Sequence, residues 1–335
     1  IKEGQRLFTI KQPIGVVAAI TPWNFPIAMV IRKVMPALAA GCAVVLKPSE
    51  ETPLTAFSLA ELLNEAGLPR GVFNVVCGNA KEIGEEFTSS EMVKLLSFTG
   101  STPVGKFLME KCSKTVKKVC LELGGNAPFI VFEDANIEKA VAGLYSSKLR
   151  NGGQSCICAN RVFVHKDIVP KFIKALIAKF KEIKIGNGLN EENNLGSMVN
   201  KAAIERISTL IKDAKENGAE VLYSAENEFK KGCFINPTIL LNKNLDSKIH
   251  TTEIFGPIVS ITTFSDEEEV VKIANDTTYG LASYFYTEDR NRIFRVMESL
   301  EYGLVGVNDV VLSSEMASFG GVKESGIGRE GGKHG

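Results

Sequence analysis

The sequence predicts an α/β fold, a doubly wound parallel sheet followed by a second α/β domain. Two observations carry this. Apolar runs such as Gly15–Ile20 and Cys42–Leu46 are continuous, as in strands buried on both faces. Each run is also followed by a loop and a helix, and the unit repeats until a break at Gly124–Pro128, after which a second series opens.

Taken in order, Arg6–Lys11 reads as a strand. Gly15–Ile20 is a buried strand that ends in Thr21-Pro22-Trp23-Asn24-Phe25-Pro26, where two prolines stiffen the loop at its carboxyl end. Open α/β sheets place ligands at such ends. Ile27–Ala40 is helical, with Gly41 as its stop. Strand Cys42–Leu46 leads through Lys47-Pro48-Ser49-Glu50 to a helix over Pro53–Ala66. Strand Val72–Cys77 precedes a helix over Lys81–Thr88. Strand Val93–Phe98 leads through Thr99–Thr102 to a helix ending near Ser113, and after Val116–Leu123 the pattern loosens. In the second series, strands are expected at Phe129–Phe132, Arg161–Val164, Ile235–Leu240 and Ile258–Phe264, and helices at Ile137–Lys148, Val169–Phe180 and Ala202–Asn217. The domain limits that follow are 1–12 as an arm, 13–124 as the first domain, 125–320 as the second and 321–335 as a return segment.

The 39 basic and 39 acidic residues cancel, which gives no electrostatic footprint for nucleic acid or an anionic membrane. The apolar runs are too short to span a bilayer. Seven cysteines lie scattered and without metal-ligand spacing, so no metal site is expected and a reducing compartment is.

The chemistry concentrates in Asn151-Gly152-Gly153-Gln154-Ser155-Cys156-Ile157-Cys158-Ala159-Asn160-Arg161. Small residues before a thiol let backbone or a flat ligand approach the sulfur, and neighbouring amides can hold developing negative charge. Together with Pro22–Pro26, Phe98–Thr102, Leu121-Glu122-Leu123-Gly124-Gly125 and Glu253-Ile254-Phe255-Gly256-Pro257, this stretch resembles the aldehyde dehydrogenase superfamily over essentially the whole chain. Phe129–Phe132, Cys156–Arg161 and Gly326–Gly331 make it most similar to the succinate-semialdehyde dehydrogenase branch.

The resemblance implies that Cys156 attacks an aldehyde carbonyl, a role suited to a thiolate and a good thioester leaving group. It assigns the oxyanion donors to the Asn24 amide and the Cys156 N–H, and thioester hydrolysis to Glu122 as general base. Glu122 also argues against an enzyme that passes the acyl group to coenzyme A. No G-x-G-x-x-G is present. Cofactor contacts are instead expected from Thr21, Pro22, Trp23, Asn24, Lys47, Pro48, Ser49, Glu50, Gly100, Ser101, Leu123, Glu253 and Phe255, with pyrophosphate at the helix that Gly100-Ser101 opens. Glu50 favours NAD over NADP, because a 2′-phosphate would meet its carboxylate. Arg32, Arg150 and Ser313 or Ser314 match the residues that hold the substrate's distal carboxylate, for which arginine forks are suited. Cys158, two positions after Cys156, is a redox candidate that could trap it as a disulfide.

Ser318 departs from the proline that usually precedes Phe319-Gly320-Gly321, and Ser197-Met198-Val199 replaces a Gly-Pro turn. Against the family, the sequence reads as shortened at both ends. The expected protein is a cytoplasmic homodimer or homotetramer, or a mitochondrial-matrix one if a targeting segment precedes Ile1. Alternative substrates are glutarate semialdehyde and lactaldehyde, and the alternative from another class is an inactive fragment.

Overall fold

The computed structural model describes residues 2–226, 229 and 232–333. The outermost expected limits, residue 1 and residues 334–335, lie outside them. The chain divides into two compact units, Ile1–Leu121 and Glu122–Gly335.

The first unit contains β1 (Val16–Ile20), α1 (Pro26–Ala39), β2 (Ala43–Lys47), α2 (Leu54–Glu65), β3 (Phe73–Val75), α3 (Ala80–Ser89), β4 (Val93–Thr99) and α4 (Thr102–Ser113), and runs into β5 (Lys118–Glu122). Its strands lie in the order β5-β4-β1-β2-β3. The central strand β1 is parallel to both neighbours, with Val17 beside Val44 and Leu95. Val17 and Ala19 of β1 and Val44 and Leu46 of β2 pack against Val30 and Val34 of α1 and Ala56 of α2.

Residues 6–11 form no strand, which corrects the reading of Arg6–Lys11. Apolar content alone does not make a strand, because the backbone needs a paired edge, and Leu7, Phe8 and Ile10 stand exposed.

The second unit contains β6 (Pro128–Val131), α5 (Ile137–Leu149), β7 (Arg161–His165), α6 (Val169–Phe180), α7 (Lys201–Glu216), β8 (Glu220–Ser224), β9 (Thr238–Leu241), α8 (Lys248–Thr251), β10 (Ile258–Phe264), α9 (Glu267–Asn275), β11 (Ala282–Tyr286), α10 (Arg290–Ser299) and β12 (Leu304–Val307). The sheet order is β12-β11-β6-β7-β10-β9-β8. Only the β8–β9 pairing is antiparallel among those described here. Successive residues of each strand serve opposite faces. Phe129, Val131, Val162, Val164, Tyr284 and Tyr286 face Leu144, Phe172, Leu176 and Phe180 of α5 and α6. Ile130, Phe163 and Phe285 face Val270, Ala274 and Val296 of α9 and α10. The strand expected from Ile235 begins only at Thr238, since Pro237 has no N–H to give a ladder.

Arg161, at the start of β7, is the largest fully buried side chain, 1% exposed. Its Nε donates to the Asn126 carbonyl at 3.1 Å. Nη1 donates to the Ile273 carbonyl at 3.0 Å, and Nη2 to the Ala274 carbonyl at 2.7 Å and the Tyr302 hydroxyl at 2.8 Å. The last carbonyls of α9 carry the negative end of the helix dipole, so a buried cation is satisfied there. Arg161→Leu takes the donor from the buried Asn126 carbonyl and removes charge-assisted bonds from the Ile273 and Ala274 carbonyls and the Tyr302 hydroxyl. Urea unfolding should register a loss of about 3 kcal/mol or more.

Candidate active site

Cys156 is half-buried on the loop that joins α5 to β7. The approach to it is a run of three left-handed residues, Asn151 at φ 51°, Gly152 at 62° and Gly153 at 73°. This explains the local composition, because only glycine, and asparagine less often, adopts that region at low cost. Space reinforces the choice. A Cβ at Gly152 would lie 2.7 Å from the Met198 methyl, and one at Gly153 would lie 2.5 Å from the Gly256 carbonyl oxygen. The Gln154 carboxamide closes the turn, donating to the Asn151 carbonyl at 3.0 Å and accepting from the Val199 N–H at 2.9 Å. Ser197-Met198-Val199, the departure in sequence, therefore supports the nucleophile loop through Met198 and Val199.

Glu122 is 3% exposed and leads into Leu123-Gly124-Gly125. At Gly125 a Cβ would sit 2.3 Å from the Cys156 carbonyl oxygen, and at Gly320 one would sit 2.8 Å from Glu122 Oε1. The segment that carries Glu122 thus presses its backbone directly on that of Cys156, and glycines are required on both sides. Ser325 fixes the segment by donating its hydroxyl to the Gly124 carbonyl at 2.6 Å, while the Leu123 N–H donates to the Ser325 carbonyl at 2.9 Å.

Three residues outside the expected set hold the site. Tyr284 is buried on β11 and donates to the Ile157 carbonyl at 2.6 Å, one residue past the nucleophile. Burial holds this phenol far above its ordinary range, the Cys158 and Cys156 thiols add to the effect, and Arg150 opposes it. Asn126 and Asn160 are hydrogen-bonded to each other. Asn160 also donates to the Thr252 carbonyl at 3.1 Å and accepts from the Ile254 N–H at 2.8 Å, while Asn126 donates to the His250 carbonyl at 3.1 Å. These two amides attach the Glu253 loop to the nucleophile loop. Their local signal was the pair of asparagines flanking the two glycine-rich stretches, and nothing in a local pattern shows that they meet.

Glu253 accepts from the Gly125 N–H at 3.2 Å, and Arg206 of α7 donates to the Glu253 and Ile254 carbonyls at 2.9 and 2.7 Å. The residue as a whole is half-buried, but the carboxyl is its sheltered end, and burial pushes it up to about 7 against the pull of Gly125 and Arg206. Phe255 stands at φ 52°, an uncommon conformation for a bulky side chain. Arg150 is exposed at the end of α5, and Ser313 and Ser314 are half-buried beyond β12.

The remaining expected residues lie in the first unit. Thr21 is buried and donates its N–H to the Lys47 carbonyl at 3.1 Å. Pro22, Trp23 and Asn24 are half-buried on the loop after β1, and Arg32 is half-buried on α1. Pro48 is buried and Ser49 half-buried beyond β2, where buried Lys47 pairs with exposed Glu50. Gly100 leaves room for the Phe98 ring, 2.4 Å from where its Cβ would be. Ser101 precedes α4 without a side-chain capping bond, and a helix start of this kind suits an anion. A cradle without Cβ, an uncapped helix start and a buried lysine beside a carboxylate fit a dinucleotide. Among the described residues no helix is long and apolar enough to cross a membrane.

A sequence model described as the aldehyde dehydrogenase family matches residues 1–335. The chain is 51% identical over 331 residues to an Escherichia coli (strain K12) succinate-semialdehyde dehydrogenase [NADP(+)], covering 99% of this chain and 69% of that one. It is 52% identical to a glutarate-semialdehyde dehydrogenase of Pseudomonas putida, covering 99% and 68%. The crystal structure of succinate-semialdehyde dehydrogenase from Burkholderia pseudomallei superposes with a TM-score of 0.96 at 49% identity, over 97% of this chain and 68% of that one.

The raised Glu253 carboxyl gives a signed stability test. Its contribution is present below the unfolded value of 4.5 and is lost as pH rises to about 7. His250, lowered to about 4 by burial and by Arg161, acts oppositely and loses stability as pH falls from 6.5. Glu253→Gln removes only the first effect. Urea unfolding should find the variant about 2 kcal/mol more stable than the parent at pH 8 and equal to it at pH 4.5, after allowance for partial solvent screening.

Proposed function

Because the chain belongs to the aldehyde dehydrogenase family, we propose that it oxidises succinate semialdehyde to succinate with a nicotinamide dinucleotide. The observation that carries this reading is the seating of the Glu122 segment on the Cys156 backbone through Gly125. In the proposed sequence the Cys156 thiolate adds to the aldehyde carbon, and the oxyanion is held by the Cys156 N–H. Asn24 as the second donor carries over from the resemblance alone. The cofactor, when bound, supplies the hydride acceptor. Glu122 then takes a proton from water, the hydroxide attacks the Cys156 thioester, and the acid leaves as the thiolate is restored.

Lys47 and Glu50 are the proposed holders of the adenosine ribose and the start of α4 of the pyrophosphate in the first unit, and Glu253 and Phe255 of the nicotinamide ribose in the second. Glu50 favours a free 2′-hydroxyl and hence NAD. A specific observation supports NADP as a second reading: the Glu50 carboxylate is already paired with the Lys47 ammonium, which offsets its repulsion of a phosphate. A homo-oligomer in the cytoplasm or mitochondrial matrix accords with this reading.

Removing the base separates the two half-reactions. Glu122→Gln should release about one equivalent of reduced cofactor per subunit in a burst and then turn over slowly, and Cys156→Ala should give no burst. Sustained turnover by the Glu122 variant would take this carboxylate out of the mechanism.

Arg150 supplies the substrate test, with Arg32 as its partner from the resemblance. A charge-assisted bond contributes roughly 1.5–3 kcal/mol, so Arg150→Ala and Arg32→Ala should each raise KM for succinate semialdehyde about tenfold to a hundredfold and leave that for butyraldehyde unchanged. Equal losses on both aldehydes would reduce the reading to a generic aldehyde oxidation. A lower KM for glutarate semialdehyde in the parent would shift it to the longer acid.

A further inference from the structure

Cys156 and Ile157 occupy the centre of a four-residue turn, which the Cys158 N–H closes by donating to the Ser155 carbonyl at 3.0 Å. That bond sets the shape of the turn but not its orientation in the protein. The exit is strapped to the last turn of α5. There the buried Cys158 donates its thiol to the Ser147 carbonyl at 3.4 Å, and the Ala159 N–H donates to Ser147 Oγ at 2.9 Å. A strap at one end still permits the turn to pivot about it.

Tyr284 opposes that pivot from the sheet. It is 1% exposed on β11, between Phe129 of β6 and Gly306 of β12. Its ring lies 6.2 Å from the Phe129 ring, and a Cβ at Gly306 would stand 2.8 Å from Tyr284 Cδ1. A ring confined in this way cannot follow a moving partner. Its hydroxyl donates to the Ile157 carbonyl at 2.6 Å, at the short end of the range for such bonds. The Ile157–Cys158 peptide is therefore held at both ends, its carbonyl by Tyr284 and its N–H by Ser155.

We propose that Tyr284 is a positioning residue, whose hydroxyl fixes the orientation of the Ser155–Cys158 turn and with it the aim of the Cys156 N–H. The inference rests on the reading of Cys156 as nucleophile and of its N–H as oxyanion donor. That N–H and the Ile157 carbonyl belong to the same short turn, so rotation of the turn moves both. A donor stabilises a transition state only when aimed at the place where charge develops. Releasing the carbonyl from Tyr284 therefore weakens the oxyanion interaction while leaving the thiol in place.

Two reactions of Cys156 separate this role from general support of the fold. With p-nitrophenyl acetate the thiolate adds to the ester carbonyl and an oxyanion forms. It then collapses to a thioester as the C–O bond breaks and p-nitrophenolate leaves. With iodoacetamide the thiolate displaces iodide, and no carbonyl oxyanion develops. Tyr284→Phe keeps the ring and removes the hydroxyl. It should slow the Cys156-dependent release of nitrophenolate about tenfold to a hundredfold, the penalty of a small misplacement. Alkylation of Cys156, followed by mass spectrometry of the tryptic peptide Asn151–Arg161, should keep the parent rate. Tyr286→Phe removes another buried hydroxyl from the same strand, one that abuts Gly143 of α5, and should change neither rate. Should Tyr284→Phe not fold, Phe129→Leu loosens the Tyr284 ring and should lower the ester rate relative to alkylation. An ester rate that is unchanged, or that falls in step with alkylation, overturns the proposal and leaves Cys156 as nucleophile. Nitrophenolate release that persists undiminished in Cys156→Ala overturns the nucleophile assignment, and the proposal with it.

Discussion

The second unit depends on one buried cation. Arg161 ties β7 to the carboxyl end of α9 and to Tyr302, and it lies five residues after Cys156. The nucleophile loop is thus a short span between two fixed ends, the last turn of α5 and the first residue of β7. A guanidinium suits this position because its planar fork serves several carbonyls at once, which a lysine's point charge would not. Burial keeps His250 neutral and the Arg161 field adds to it, so the charge that orders the loop helps to suppress a second cation beside it.

From those ends inward, the loop is shaped by exclusion as much as by attraction. Backbone of the Glu122 segment, of the Glu253–Pro257 loop and of the nucleophile loop approach closely enough that a methyl group at Gly125, Gly153 or Gly320 would overlap a neighbour. Asn126 and Asn160 then supply hydrogen bonds across the same contact. Close packing of three loops leaves little room for rearrangement, a preorganisation that suits the proposed oxyanion stabilisation.

Much of this was legible in the sequence. Continuous apolar runs identified the parallel strands, because each is buried on both faces and needs no alternation. Gly152 and Gly153 pointed to tight backbone before Cys156. The strand expected at Arg6–Lys11 failed because strand formation is decided by the neighbour and not by the segment. Strands β8, β11 and β12 and helices α8, α9 and α10 were not read, being short or mixed in composition. Tyr284 and Arg206 could not be found locally, since they reach the loops from residues 127 and 47 positions away along the chain.

The glycine contacts carry a consequence for anyone who would redesign substrate choice. Gly125, Gly153 and Gly320 accept no side chain without displacing backbone, so libraries that diversify the loops around Cys156 indiscriminately would be filled with misfolded members. Arg150 is exposed at the end of α5, and Ser313 and Ser314 are half-buried in the irregular segment beyond β12. Sequence diversity concentrated at those positions would leave the backbone contacts around Cys156 unchanged.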